Sequence, residues 1–581
     1  MPPHEVPAAG GALKVKLRRG ERMCLIGMNV DPKPGPDFAG FAVEVRSPGA
    51  TSFQFLRNRI AFDYPPGTVL TGNRDYPTNE APLQTFRWVH FPYQPKPGTY
   101  IYRVTMMHWV GNALEARLLA EGEIDLFDEA IPGFVDVAFT RNLASSQAFS
   151  DTFPDKAGRK LILPAKAKDG LKHDKSKAPK GVYDWLGGKA TEQLFAILND
   201  ARQSPAVTLD VLAYDLNEPD IVACLEAVAR RRAAGGPASL RIVIDNAGEH
   251  NDLDSAETHA ATRLTQAGAE VHRHHFDGLQ HNKVIIVKRN GVGERVICGS
   301  TNFSFRGLYI QANNMLLFQA PEAVSLFSQM FDLARKGPDA LEDDPLSKIW
   351  HAVTAPDGST VRICFSPHPK SSAVSLSPLE GAIEQATSSV LYSVAFLSQD
   401  TKGPIRKALD RLVDKPLFSY GVVNRKSGLK LAKPDGSIGV VDFKYLGAHA
   451  PTPFKEEWSG QAGINIHHKF VVTDFDLPSA KLFAGSSNLS FSGEEGNGDH
   501  LIQISNARAA TAYAIEALRM FDHLHFRTKM DEAGVTKGAA PQAGTGVIKL
   551  RKPPGPGEQA WFETFYVADS QKFRDRLLFS R

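Results

Sequence analysis

The sequence predicts a multidomain chain: an N-terminal all-β sandwich, then a duplicated α/β region of α-β-α sandwich type. Three observations predict it. Residues 11–130 are short, partly alternating apolar runs broken by Pro, Gly and Asn clusters. From about residue 182, strands and amphipathic helices alternate. One string, HNKVIIVKRNGVGERVICGSTNFS at 281–304, returns nearly intact as HHKFVVTDFDLPSAKLFAGSSNLS at 467–490.

The bulk numbers bound this reading. At roughly 150 residues per domain, a chain of 581 residues suggests about three or four domains. With 42% apolar and 23% charged residues it can fill several globular cores. A net charge of +3, with pI near 8.4, is too small an excess at this length to specify nucleic acid or an anionic membrane. Cys24, Cys224, Cys298 and Cys364 lie far apart, so neither a disulfide framework nor a zinc spacing is visible, and buried thiols in a reducing compartment are expected. The N-terminus, MPPHEVPAAGGALKVKLRRGERM, has no apolar core of signal-peptide type, and no window is long enough to span a membrane. A soluble protein is expected, cytoplasmic or exported without a cleavable signal.

Taken in order, the first domain (11–130) has strands at ALKVKLRR, RMCLIGMNV, FAGFAVEVRS and TYIYRVTMMHW. PKPGTYIYRVTMMHW reads as a turn entering a strand, with Tyr102 two residues before Val104. That pattern resembles the late strands of an immunoglobulin-like or fibronectin-like sandwich. It holds no catalytic constellation, so a packing or adhesion module is expected. Residues 131–181 are expected to be a basic linker. Within them, 151–181 set eight lysines and one arginine among Pro, Gly and Ser, a composition that suits a solvated loop or, functionally, a basic flap over an anionic substrate.

Two α/β units are expected at 182–340 and 347–530. In the first, TEQLFAILNDAR is helical, TLDVLAYDL a strand, and EPDIVACLEAVARRRAAGG a helix with an acidic start and a basic, Gly-rich end. LRIVIDN is a strand and SAETHAATRLTQAG a helix, followed by strands at AEVHRHHF and KVIIV. VLAYDLNEPDIVACL parallels YSVAFLSQDTKGPIRKAL: Ala213 precedes His281 by 281 − 213 = 68 positions, and Ala395 precedes His467 by 467 − 395 = 72. Histidine and asparagine are then 302 − 281 = 21 and 488 − 467 = 21 apart. Shared scaffold and spacing mean internal duplication. A C-terminal extension, 531–581, is expected to pack on the α/β body through Trp561, Phe562, Phe565 and Tyr566; a lipid- or substrate-facing aromatic patch is the alternative.

The repeated strings carry the chemistry. On a strand, residues i and i+2 share a face roughly 6–7 Å apart, which pairs His281 with Lys283 and His467 with Lys469. GSTN and GSSN each close a second strand, where glycine permits a tight turn and Ser300, Asn302, Ser486 and Asn488 offer polar groups at a strand end. One HxK alone usually marks a surface or a satisfied core. Two copies on duplicated units converge if the units pack about a pseudo-twofold axis. The lysines and asparagines then suit a phosphate, and the histidines suit a nucleophile and a general acid. The arrangement calls for no metal or cofactor, and HRHH at 272–275 reads as a polar strand beside the cleft.

These residues resemble the phospholipase D superfamily, whose signature is HxKxxxxD followed by a GSxN-like element, twice per active site. The resemblance spans roughly 182–530. The second half has all of it: His467, Lys469, Asp474, Gly485, Ser486 and Asn488. The first half has His281, Lys283, Gly299, Ser300 and Asn302, with Lys288 where the family has aspartate. The resemblance implies phosphodiester chemistry: one histidine attacks phosphorus to form a phosphohistidine, the other protonates the leaving alcohol, and lysines and asparagines bind the non-bridging oxygens. It also implies a supporting place for the motif aspartate and an acidic residue about a dozen positions after the asparagine. Asp499 stands 499 − 488 = 11 positions on in the second half, and Asn314 stands 314 − 302 = 12 on in the first. Each is expected behind the histidine of its own half. A carboxylate raises an imidazole's pKa, which makes His467 the protonated acid and His281 the neutral nucleophile.

The expected function is a phospholipase D-type phosphodiesterase, with phospholipid headgroups favoured as substrate. A metal-independent nuclease of the same superfamily and a non-catalytic phosphate- or nucleic-acid-binding protein are the alternatives. A cardiolipin-synthase-like transferase would carry N-terminal spans that this sequence lacks. With both motifs in one chain a dimer is not required, and peripheral membrane contact is compatible with the sequence.

Overall fold

The computed structural model describes residues 5–64, 75–141, 147–232, 235–369, 373–397, 400–424, 440–442, 466–532 and 549–581. Its first part is a sandwich of two antiparallel four-stranded sheets. Glu5–Gly10, Leu13–Arg19, Cys24–Val30 and Arg87–His90 make one; Ala113–Asp125, Thr99–Val110, Phe38–Arg46 and Gln54–Phe55 make the other. Alternation builds the core. Leu13, Val15 and Leu17 point inward from one sheet, and Tyr100, Tyr102, Val104 and Met106 from the other.

The rest is α/β and duplicated. The first sheet runs, edge to edge, Val135–Phe139, Asn314–Phe318, Val292–Gly299, Val284–Arg289, Val207–Ala213, Leu240–Ile244, Glu270–Arg273. The second runs His351–Thr354, Thr360–Phe365, His500–Ser505, Lys481–Gly485, Lys469–Thr473, Ser389–Val394, Phe418–Val423, Val440–Asp442. Apart from the added edge strand His351–Thr354, the orders match strand for strand. In both, the HxK strand lies antiparallel to the central strand, Val207–Ala213 in the first sheet and Ser389–Val394 in the second.

The stretch expected to be a linker, 131–181, differs from that expectation. Val135–Phe139 is an edge strand of the first sheet, antiparallel to Asn314–Phe318, as Thr360–Phe365 is to His500–Ser505. VDVAF is buried at all five positions and so has no alternation to betray a strand. Beyond it, Phe149, Phe153 and Ile162 enter the α/β core, so the basic segment is packed as a strap. Lys168 pairs with Asp254. Lys175 reaches Glu218 at 2.5 Å and Asp220 at 2.6 Å, with its ammonium 4.5 Å from the Tyr183 ring centroid. Lys156, Lys160, Lys166, Lys168, Lys172, Lys177 and Lys180 stay exposed.

The C-terminal extension also departs from expectation. Trp561 and Phe562 enter the core of the N-terminal sandwich against Phe38 and Phe86. The Trp561 indole donates to the Phe38 carbonyl at 3.0 Å and the Tyr566 hydroxyl to that of Val30 at 2.6 Å. The helix Gln571–Ser580 lies against Cys24–Val30 and sends Leu578 and Phe579 into the α/β core. It therefore cements the sandwich to the α/β body. Gly27 is required there, because a Cβ would stand 1.8 Å from the Phe579 carbonyl oxygen. Arg18, buried, caps this helix by donating to the carbonyls of Phe579 and Arg581 at 2.5 and 3.0 Å.

All four cysteines are free and buried. Among the described residues no helix is long and apolar enough to cross a membrane.

Candidate active site

The two repeats meet along the ends of their HxK strands, and they do so reciprocally. The His281 N–H donates to the Gly498 carbonyl at 2.9 Å, and the His467 N–H to that of Ala312 at 3.0 Å. Corresponding residues differ by one constant, 467 − 281 = 498 − 312 = 186, so a pseudo-twofold axis runs between the histidines. Around it lie His281 (3% exposed), Lys283 (1%), Asn302 (4%), His467 (5%) and Lys469 (0%), with Asn488 partly buried beside them.

The contacts behind the imidazoles cross the axis. Asp499 of the second half accepts from His281 Nδ1 at 2.8 Å. Asn313 Oδ1 of the first half accepts from His467 Nδ1 at 2.9 Å, as does the Ser300 carbonyl at 3.1 Å. Asn313 Nδ2 donates to the Gly307 carbonyl at 2.8 Å, which turns its oxygen toward His467. Both histidines therefore hold their proton on Nδ1, which leaves Nε2 of each as an acceptor, that of His467 facing Lys469 Nζ at 3.0 Å. This corrects the expected pairing: the carboxylate backs His281, not His467, and the amide is Asn313. Asn314 instead lies 3.5 Å from His468 Nδ1, matching the contact of Asn282 with His500 Nδ1 at 2.7 Å across the axis.

Ser300 and Ser486 tie this second layer together. Ser300 Oγ donates to Asn313 Oδ1 at 2.9 Å and accepts from the Asn314 N–H at 3.0 Å; Ser486 Oγ accepts from the His500 N–H at 3.0 Å. Gly299 takes φ +131° at this turn, and a Cβ there would meet the Asn314 carbonyl at 2.7 Å.

The electrostatics suit an anion site. Burial lowers the Lys283 ammonium to about 7, against the pull of Asp499, Asp215 and Asp245. Burial and then Lys283 hold Lys469 well below the usual lysine range. Burial lowers both histidines and both lysines add to it, but Asp499 offsets part of this at His281, so His467 is lowered further. Burial would raise Asp499, but His281 and Lys283 outweigh it and hold the carboxyl at about 2. An anion entering here would favour the charged forms of both lysines.

The family of the first repeat is decided by its sequence: residues 194–334 match the family model described as cardiolipin synthase, phospholipase D-like domain. The chain contains a phospholipase D-like domain. No curated protein sequence matches it. Phosphatidylserine synthase from Haemophilus influenzae is similar at TM-score 0.39 and 14% identity, over 60% of this chain and 92% of that one. Nuc from Salmonella typhimurium, a phospholipase D family member, is similar at TM-score 0.19 and 24% identity, over 25% and 86%. Polyphosphate kinase from Porphyromonas gingivalis is similar at TM-score 0.33 and 11% identity; the match covers 54% of this chain but 42% of the kinase.

The remaining motif residues lie away from the cleft. Asp474 accepts the N–H groups of Thr387, Ser388 and Ser389 at 3.0, 2.8 and 3.2 Å, fixing the entry to the Ser389–Val394 strand. Its counterpart is residue 474 − 186 = 288, and Lys288 pairs with Asp210 on the neighbouring strand at 2.5 Å. The three histidines of HRHH take separate partners, with His272 on Glu270 and His274 on the Ala334 carbonyl.

Two site residues went unread in the sequence. Tyr214 lies edge-on to His281 at 5.1 Å with Lys283 4.7 Å over its ring, and Phe396 lies edge-on to His467 at 6.1 Å with Lys469 at 5.5 Å. Each stands one position after the matched alanines Ala213 and Ala395, and that was the available signal. Among the described residues, Asp215, His250 and Glu257 alone bring three potential metal-ligand atoms within 4.8 Å of one another. Both ring nitrogens of His250 already face carboxylates and a Glu257 oxygen accepts the Leu216 N–H at 2.9 Å, so the cluster is ion-paired within itself.

Proposed function

We propose that this chain is a phosphodiesterase of the phospholipase D type, working in one chain through a phosphohistidine. The carrying observation is the Asp499–His281 contact. It keeps the proton on Nδ1, leaves the Nε2 lone pair facing the cleft, and places one carboxylate where positive charge develops on the ring as Nε2 bonds to phosphorus. His467 has only neutral acceptors behind it, so its protonated form is the stronger acid. The bound phosphodiester anion favours the charged ring, so His467 Nε2 takes up a proton from solvent as the substrate binds. As the P–O ester bond breaks, His467 passes it to the departing alkoxide. His467 Nε2 then takes a proton from water, the water oxygen attacks phosphorus, and the N–P bond breaks to free His281. Lys283, Lys469, Asn302 and Asn488 hold the non-bridging oxygens.

The favoured substrate is a phospholipid headgroup ester, because the matched family model carries the name of cardiolipin synthase. The second reading is a nuclease, favoured by the seven exposed lysines of the strap. A paired assay in EDTA tests both. Phosphatidylcholine/phosphatidylglycerol vesicles and, separately, single- and double-stranded DNA are offered to wild type and His281→Ala. Headgroup release lost in the variant supports the lipid reading, and DNA cleavage lost in the variant supports the nuclease. Activity that EDTA abolishes, or that His281→Ala retains, sinks the mechanism.

A further inference from the structure

His250 lies outside both repeated strings, in the short turn Gly248–Asn251 after the Leu240–Ile244 strand. Its side chain is 14% exposed and stands between two acids: Nδ1 is 2.8 Å from Asp245 Oδ2, and Nε2 is 3.2 Å from Asp215 Oδ1. Carboxylate oxygens only accept, so both contacts are hydrogen bonds only when the ring carries both protons. Each acid also reaches the candidate site through its other oxygen. Asp245 Oδ1 accepts from the N–H of Gln280, the residue before His281, at 2.7 Å. Asp215 Oδ2 accepts from Asn302 Nδ2 at 2.7 Å. Tyr214 fills the remaining space, edge-on to His250 at 4.6 Å and to His281 at 5.1 Å.

We infer that His250 is a positioning residue: a doubly protonated imidazole that clamps Asp245 to Asp215 and through them sets where His281 and Asn302 stand. The inference rests on the reading of those two as phosphate-site residues. The acids that flank both ring nitrogens favour the charged ring. Asp215, Asp245 and Glu257 converge on the ring, and the cations facing the cluster are Lys283, Arg306 and Arg273, the last donating to the His250 carbonyl at 2.6 Å. A neutral ring would leave two carboxylates opposed across it. Among the described residues the clamp belongs to the first half alone. Asp215 is two positions after Ala213, and two positions after Ala395 stands Leu397. The half that carries the proposed nucleophile thus has its asparagine held by a charged group.

Imidazole nitrogen NMR of the intact wild-type chain at pH 8 tests the clamp without any variant. A free histidine, with pKa about 6.5, is neutral there, whereas His250 is expected to show two N–H signals. A singly protonated ring, or stoichiometric zinc binding that shifts the His250 signals, overturns the inference. His250→Gln keeps one donor and loses the charge. Its affinity for tungstate, a stand-in for phosphate, is expected to fall about tenfold, with part of that restored in the double variant H250Q/D215N, where the unpaired carboxylate is gone. Unchanged tungstate affinity in His250→Gln overturns the inference, as does a double variant no better than the single. Wild type that fails to bind tungstate would sink the phosphate-site reading, and with it the role given to the clamp; the NMR signals would then still report the state of the ring.

Discussion

Asp499 of the second repeat holds Nδ1 of His281 in the first, at 2.8 Å, and Asn313 of the first holds His467 in the second at 2.9 Å. The crossing separates the two imidazoles chemically: one can share positive charge with a carboxylate and the other cannot. Asp499→Asn is expected to cut turnover roughly 100-fold, because the cation formed at His281 loses its partner, while Asn313→Asp should slow leaving-group protonation by making His467 a weaker acid. Trapped phosphoenzyme mapped by mass spectrometry should carry its label on His281. A label on His467 would reverse the roles.

The acid is needed only when the leaving group is poor. With an alkyl phosphodiester, His467→Ala should be as inactive as His281→Ala. With a p-nitrophenyl ester, whose phenolate leaves without help, His467→Ala should still give a stoichiometric burst of nitrophenolate and His281→Ala none. A burst from His281→Ala would remove that residue from the nucleophile's place.

The depressed lysines link anion binding to protons. Lys283, at about 7, is partly neutral near neutral pH, and Lys469 is held well below its ordinary range. A bound anion favours their charged forms, so tungstate binding should take up protons near neutral pH and weaken as pH rises, up to about tenfold per unit for each linked proton. Calorimetry in buffers of different ionisation enthalpy reads the uptake directly. Stability should move the opposite way. Lys283 has its folded pKa below the unfolded value of about 10.4, so between about 7 and about 10.4 the unfolded chain binds more protons and the ligand-free fold gains stability with rising pH.

Asp474 and Lys288 occupy one motif position with opposite charge and separate structural tasks. Asp474→Ala leaves three N–H groups without their acceptor and should cost about 2–3 kcal/mol in urea unfolding, with activity per folded molecule near wild type. Lys288→Asp restores the family's motif but sets a second acid against buried Asp210, leaving Arg241 as its cation at 2.6 and 2.7 Å. It should destabilise by about 1–3 kcal/mol. A Lys288→Asp protein more stable than wild type would contradict this account.

The duplicated α/β region was legible because Gly299, Ser300 and Asn302 recur at the same offset as Gly485, Ser486 and Asn488. That offset also reaches from Asn313 to Asp499, and an approximate spacing chose Asn314 one residue too far on. The crossing itself was not legible. Spacing tells how far along its own strand a residue lies, but which histidine it meets is set by how two sheets abut. The same limit hid the C-terminal aromatics: an apolar cluster announces burial without naming the core that receives it, and Trp561 went to the sandwich. VDVAF at 135–139 was missed because a wholly buried strand has no period, and only comparison with Thr360–Phe365 could have shown that each repeat opens with one.

The paired bridges Gln280–Gly498 and Ala312–Ile466 have a consequence for ancestry. A gene with one copy of this unit could assemble the cleft only by bringing two identical chains together, and any change near the axis would be made on both sides at once. Fusion into a single reading frame ended that obligation. Positions 313 and 499 could then drift to an amide and an acid, and the Asp215–His250 pair could settle on one side alone. The cleft thereby acquired a polarity, an attack end and a departure end, which a strict homodimer of the ancestral unit could not encode.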